Sequence, residues 1–343
     1  MDLLSQFILL LDILKMIKNE KNWETPECNL CGSKKYHVFL DNIKTWITKG
    51  RFRIVKCLSC NLTYLSPRPK KKYISNFYPP ETYWGVNILK DTKGEDYELR
   101  DKVNRSIFKY IFSRKNNGFI IDLGAGTGLF LTKFKQMGWK VDGVELSEKA
   151  CNYARKRYRI NLKKRDFLDS KYKENSVDVI TLIGCLEHLY KPKETLRKIV
   201  KVIKKDGILV ISVPNIDSLG RIMFKKNWYA LQPPTHLYHF SSETIIKILS
   251  LSEFKILTID HSNLYQNFYV LFESMRLMFS PKFRNERRFD FKKLSKNKRD
   301  SGRNKSLRLE TGKFLAKIIA SVLLIFEVIF KKGEIITVYA KKA

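Results

Sequence analysis

One short run constrains this chain more than any other. Phe119-Ile120-Ile121-Asp122-Leu123 is an apolar, strand-length segment, and Gly124-Ala-Gly126-Thr-Gly128 follows it directly before a helix-like stretch. A strand that turns through glycines into a helix lets backbone amides approach a ligand closely. The helix start adds unsatisfied amide donors to the same spot. From residue 118 onward apolar strands alternate with amphipathic stretches. Strands are expected at Lys140 to Val144, Val177 to Leu182, Gly207 to Val213, Lys255 to Ile259 and Glu334 to Ala340. Helices are expected at 128–137, 147–157, 193–204 and 242–252. That alternation predicts an α/β fold, a mostly parallel sheet covered on both faces.

The acids at strand ends narrow the ligand. Val141-Asp142-Gly143-Val144-Glu145 ends in a carboxylate 21 residues after Gly124. A carboxylate there suits the two hydroxyls of a ribose. Asp166 ends an expected third strand, Lys163 to Phe167, another 21 residues on, and Phe167 supplies a ring beside it. This pattern fits an adenosine ligand better than a pyrophosphate. A dinucleotide loop reads G-x-G-x-x-G, and position 129 here is Leu.

On these residues the chain resembles the class I S-adenosylmethionine-dependent methyltransferases. The resemblance covers about 118–263 and the final strand, and it implies a Rossmann-like, seven-stranded sheet. It implies that Asp122, Gly124, Gly126 and Gly128 hold the methionine end of the cofactor. Glu145 matches the ribose acid, and Asp166 with Phe167 matches the adenine site. Ile183-Gly184-Cys185-Leu186-Glu187-His188 matches the loop under the sulfonium, which brings Cys185 to the cofactor and Glu187 toward the chemistry. The competing reading of Glu187-His188 is a cap for the next helix.

Ahead of that domain, Cys28, Cys31, Cys57 and Cys60 form two C-x2-C pairs with 25 residues between them. An aromatic, β-prone stretch joins the pairs. Four thiolates in this pattern predict a closed, structural zinc ribbon and a reducing compartment. The expected organisation is an apolar N-terminal helix over 1–20, the ribbon over 21–70, a helical linker or lid over 71–117, and the methyltransferase domain over 118–343. That domain carries an insertion at 216–241 and a basic loop at 281–308. The opening run Phe7 to Leu14 lacks the basic start and small-residue cleavage site of a secretory signal. It is too short to span a bilayer.

The insertion 216–241 is aromatic and polar and carries His236 and His239, each a candidate base toward a methyl acceptor. The alternative for each is a histidine that hydrogen-bonds a backbone carbonyl and shapes the loop. The ribbon and this segment together resemble the sugar C-methyltransferases and the methyltransferases associated with surface-polysaccharide genes. Those enzymes carry an acid–His–x–x–Tyr–Phe segment. Here Thr235 stands for the acid and His239 for the tyrosine, while His236 and Phe240 remain.

Charge is the last constraint. The net charge is +32, and residues 281–308 alone carry twelve basic and three acidic side chains. Such a balance invites an anionic partner, the alternative being a lysine-rich bias spread over solvated faces. The expected acceptor is a small molecule, a saccharide or a lipid-linked form of one. The expected location is cytoplasmic, with peripheral contact at the inner face of the membrane. An RNA methyltransferase that grips phosphates through the ribbon and lysines is the alternative. Gly184-Cys185-Leu186-Glu187 lacks the Asn/Asp-Pro-Pro-aromatic clamp of exocyclic-amine modifiers, which disfavours it.

Overall fold

A computed structural model describes residues 19–44, 50–78, 95–279, 319–327 and 329–343. The expected helix over 1–20 therefore falls outside the described residues, except at its last two positions. The basic loop 281–308 and much of the lid, at 79–94, also lie outside them.

The N-terminal segment forms β1 (Trp23–Glu24), β2 (Tyr36–Lys44), β3 (Arg51–Cys57), β4 (Thr63–Leu65) and β5 (Arg68–Pro69). β2 and β3 pair antiparallel, with Tyr36 opposite Cys57. Within the expected lid lie two helices, α1 (Glu95–Val103) and α2 (Arg105–Phe112). The break falls at Asn104, whose side-chain amide donates to the Arg100 carbonyl. Asparagine competes with helical backbone in this way.

The catalytic-size domain follows as β6 (Phe119–Leu123), α3 (Leu129–Gln136), β7 (Lys140–Glu145), α4 (Glu148–Tyr158), β8 (Lys163–Lys164) and β9 (Val177–Ile183). It continues through α5 (Pro192–Val202), β10 (Ile203–Pro214), α6 (Leu219–Phe224), β11 (Tyr238–His239), α7 (Ser242–Ser250), β12 (Phe254–Asp260), α8 (Leu264–Phe279) and β13 (Ile335–Lys342). The main sheet has seven strands in the order β12-β13-β10-β9-β6-β7-β8. Only β13 runs against its neighbours. This is the expected mostly parallel sheet. Residues of β6, β9 and β10 are buried almost throughout, as strands covered on both faces must be.

One difference from the sequence expectation has a local cause. The third strand is only Lys163–Lys164, because the Asp166 side chain accepts from the Leu168 amide and turns the chain into a short 3-10 helix. The apolar stretch after 263, which carries no clear period, is the 16-residue helix α8. It packs on α6 and covers the insertion.

The ribbon is joined to the main domain by a shared sheet, in the order β11-β4-β3-β2. β11 comes from the insertion, and Tyr238 pairs with Tyr64 and His239 with Thr63. Arg68 reinforces the seam by donating to the Tyr238 hydroxyl at 2.9 Å and to Glu24 at 2.7 Å. Tyr190 donates to the Pro69 carbonyl at 2.6 Å.

Candidate active site

The crevice lies beyond the carboxyl ends of β6, β7 and β9, where ligands bind in open parallel sheets. Gly124, Gly126 and Gly128 all take left-handed backbone angles, with φ of +69°, +55° and +75°. At Gly124 an added Cβ would meet the Cys185 Sγ at 2.9 Å, so this position needs glycine for space as well as for conformation. The loop is tied down when the Gly124 and Ala125 amides donate to the Val144 carbonyl at 2.9 and 3.1 Å.

Glu145 ends β7 directly beside the loop. Its carboxylate accepts the Gly126 amide at 3.0 Å and the Ser147 amide at 2.7 Å. Burial raises its pKa while those amides oppose the rise. Asp122, at the end of β6, is buried and accepts the Thr181 hydroxyl from β9 at 2.6 Å. Burial pushes its carboxyl up to about 7, against the Thr181 hydrogen bond and with the Glu145 charge adding to the rise.

At the far end of the crevice Asp166 pairs with Lys71 at 2.8 Å. Burial alone would raise this acid, but the Lys71 ammonium and the Leu168 amide hold it below its usual range. Lys71 follows the ribbon directly, in a lysine run that reads as linker, so composition gave no sign of this role. Phe167 is buried and stacks on Tyr172, with centroids 5.8 Å apart.

Opposite the loop, Gly184 turns with φ +60° into Cys185 and the short helix Leu186–His188. Cys185 is buried, and burial holds its thiol well above the ordinary value. Glu187 is buried too. Its Oε2 has no hydrogen-bond partner among the described residues, and burial pushes its carboxyl up to about 8. Its own carbonyl accepts the Leu237 amide at 2.8 Å, which fixes the insertion above it.

His188 and His236 meet over Glu187, with ring centroids 4.6 Å apart and planes near perpendicular. One ligating atom from each of Glu187, His188 and His236 lies within 4.8 Å of the others. The His236 Nδ1 lies 2.8 Å from the Ala230 carbonyl, and the His188 Nδ1 lies 2.8 Å from the Thr235 carbonyl. Each carbonyl requires a proton on Nδ1, so in the neutral ring the lone pair sits on Nε2. His188 is the member that a search for isolated histidines misses. Its adjacency to Glu187 is the sequence signal.

His239 is not part of this trio. Its ring lies 6.3 Å from that of His236, buried in β11. Neither ring nitrogen has a hydrogen-bond partner among the described residues. Burial lowers its pKa to about 3, which makes it a weak base.

The four ribbon cysteines converge. Their sulfurs all lie within 4.8 Å of one another, with Cys28–Cys60 at 3.4 Å and Cys31–Cys57 at 3.6 Å. A tetrahedral zinc with Zn–S bonds of about 2.3 Å sets its sulfurs about 3.8 Å apart, so this donor set fits the ion. The Ser59 amide points at the Cys57 sulfur at 3.4 Å. Burial works against the Cys57 thiolate, yet the Ser59 and Cys60 amides and the Cys31 thiol bring it down to about 7.

Residues 92–259 match the methyltransferase-domain family. A probable S-adenosylmethionine-dependent methyltransferase of Mycobacterium tuberculosis is 22% identical over 169 residues, 49% of this chain and 59% of the relative. A ubiquinone biosynthesis O-methyltransferase of Azoarcus sp. is 31% identical over 102 residues, 28% of this chain and 44% of the relative. The chain thus spans less than two thirds of the length of these relatives. Among solved structures, a SAM-dependent methyltransferase from Archaeoglobus fulgidus aligns with a TM-score of 0.46 at 21% identity, covering 73% of this chain and 97% of that one.

Proposed function

We propose that this chain, whose residues 92–259 match the methyltransferase-domain family and whose main sheet has seven mostly parallel strands, methylates a small-molecule, saccharide or lipid-linked acceptor with S-adenosylmethionine as donor. The observation that carries this reading is the Glu145 carboxylate held by the Gly126 amide at 3.0 Å, with Asp166 one strand further along the same crevice. Asp122, Gly124, Gly126, Gly128 and Cys185 would hold the methionine end. Glu145 would take the ribose, and Asp166 with Phe167 the adenine. When bound, the cofactor supplies an electrophilic methyl group on its sulfonium.

The chain itself supplies alignment, dryness and a base. Lys71 keeps Asp166 ionised and ready to accept an amine. The His236 Nε2 carries the lone pair that takes the proton from an acceptor hydroxyl, while the Ala230 carbonyl fixes the ring. Ionised Glu187 stabilises the imidazolium that results, from within the same trio. His188 braces the cluster through Thr235 and through Tyr78, whose hydroxyl lies 3.1 Å from its Nδ1. Cys28, Cys31, Cys57 and Cys60 would hold a structural zinc that contributes folding energy and no step of the reaction.

Methyl-labelled S-adenosylmethionine, incubated with the protein and a fractionated extract of its source cells, tests the acceptor class. Label in the nucleotide-sugar or lipid-extractable fractions, lost in His236→Ala, is the expected result. Label confined to RNA contradicts it.

A further inference from the structure

The helical residues 319–327 and 329 present two apolar faces. The inner face places Ala320 and Glu327 out of contact with solvent and packs Leu323 and Leu324 on the core. The outer face presents Ile319, Val322, Ile325, Phe326, Ile329 and Phe330, each between 40% and 65% exposed. Only the inner face is buried against the core. A helix on a soluble surface ordinarily turns charged residues outward. This one turns its largest apolar side chains outward, and an exposed patch of that kind marks an interaction surface.

Three observations identify what covers it. The helix ends in exposed Lys331 and Lys332, and the chain's net charge is +32. The preceding stretch 281–308 adds nine net positive charges in sequence. Apolar residues bordered by lysines match a surface with an apolar interior and anionic headgroups. No helix among the described residues is long and apolar enough to cross a membrane.

The position of the stripe adds direction. The Leu219 amide at the start of α6 donates to the Lys332 carbonyl at 3.0 Å, and α6 exposes Ile222 and Met223. The Glu334 carboxylate accepts the Gly220 amide at 2.7 Å and the Trp228 indole N–H, and Glu327 lies against it. The helix is therefore fastened to the first part of the insertion that carries His236.

We propose that the outer face formed by Ile319, Val322, Ile325, Phe326, Ile329 and Phe330, with the exposed side of α6, seats the protein on an anionic lipid bilayer beside the mouth of the acceptor site. The inference deepens the lipid-linked acceptor reading and rests on it for its biological sense. Vesicle binding is read without methyl transfer, so either can fail while the other stands.

The test is co-sedimentation of the full chain with phosphatidylcholine vesicles, with and without phosphatidylglycerol. The expected result is binding to the anionic vesicles that weakens with salt. The Ile325→Glu/Ile329→Glu double variant should bind at least about tenfold more weakly, with unchanged circular dichroism and unchanged S-adenosylhomocysteine affinity. If that variant does not fold, Phe326→Trp replaces it, and its fluorescence should shift blue on anionic vesicles. Absence of vesicle binding, binding indifferent to the double variant, or a tryptophan that does not shift would each overturn the proposal. So would conversion of a dimer into a monomer by the double variant, which assigns the stripe to a second copy.

Discussion

Tyr238 of the insertion lies opposite Tyr64 of the ribbon in one antiparallel sheet. A module that would hold metal therefore supports the segment that carries His236, two residues earlier in the chain. Removing the metal with a strong chelator, or replacing Cys57 by Ser, should melt the ribbon and release the insertion with it. Structural zinc contributes roughly 10–16 kcal/mol of apparent binding energy in small zinc domains. The expected readouts are about one zinc per chain by mass spectrometry, a lower melting temperature without it, and loss of methyl transfer. Full activity in a zinc-free, folded protein would contradict the seam's role.

Gly124→Ala should be costly for two separable reasons. A left-handed residue with a side chain costs roughly 1–2 kcal/mol. The new methyl would also press on the Cys185 sulfur at 2.9 Å. Cys185→Ala should restore part of the loss, since the Cβ contact at 3.2 Å persists. A double-mutant cycle on thermal stability checks this, and strict additivity would show that the two sites do not touch.

Glu187 makes the pH dependence specific. Its folded pKa of about 8 lies above its ordinary 4.5, and Asp122 stands at about 7 against 3.8. Between those limits the folded chain holds protons that the unfolded chain has released. Stability therefore falls as pH rises through that window, and the contribution is intact only below it. Activity should move the other way, rising with pH toward an apparent pKa of about 8 as Glu187 ionises. Glu187→Gln should flatten the rate profile and reduce, with Asp122 still titrating, the slope of the stability profile, as read by initial rates and denaturant melts over a pH series.

The two insertion histidines should separate sharply. His236→Ala should lower the rate by roughly 100-fold or more, as loss of a general base does. His239→Leu removes a buried ring with no polar partner among the described residues, so it should leave the rate within about twofold and stability unchanged or raised. Equal losses in both variants would refute the assignment.

What the sequence made legible was local or periodic. The glycine loop, the acid ending β7 and the paired cysteines each sit within a few residues of the element that defines them. The sheet followed from strand and helix alternation. Contacts across long loops were not legible. Lys71 meets Asp166 from 95 residues away, and Trp228 meets Glu334 from 106 away. His236 and His239 look alike as letters. The structure separates them: His239 sits in β11 with no polar partner among the described residues, while His236 lies beside Glu187 and His188. The helix α8 was hidden because a continuous apolar run carries no period.

The most direct test is calorimetric titration of S-adenosylhomocysteine into the purified 343-residue chain, beside Glu145→Ala. The account predicts saturable one-to-one binding in the native protein and a loss of roughly tenfold or more in the variant, since a charge-assisted hydrogen bond contributes about 1.5–3 kcal/mol. No detectable binding to the native protein, or equal affinity in both, would contradict it.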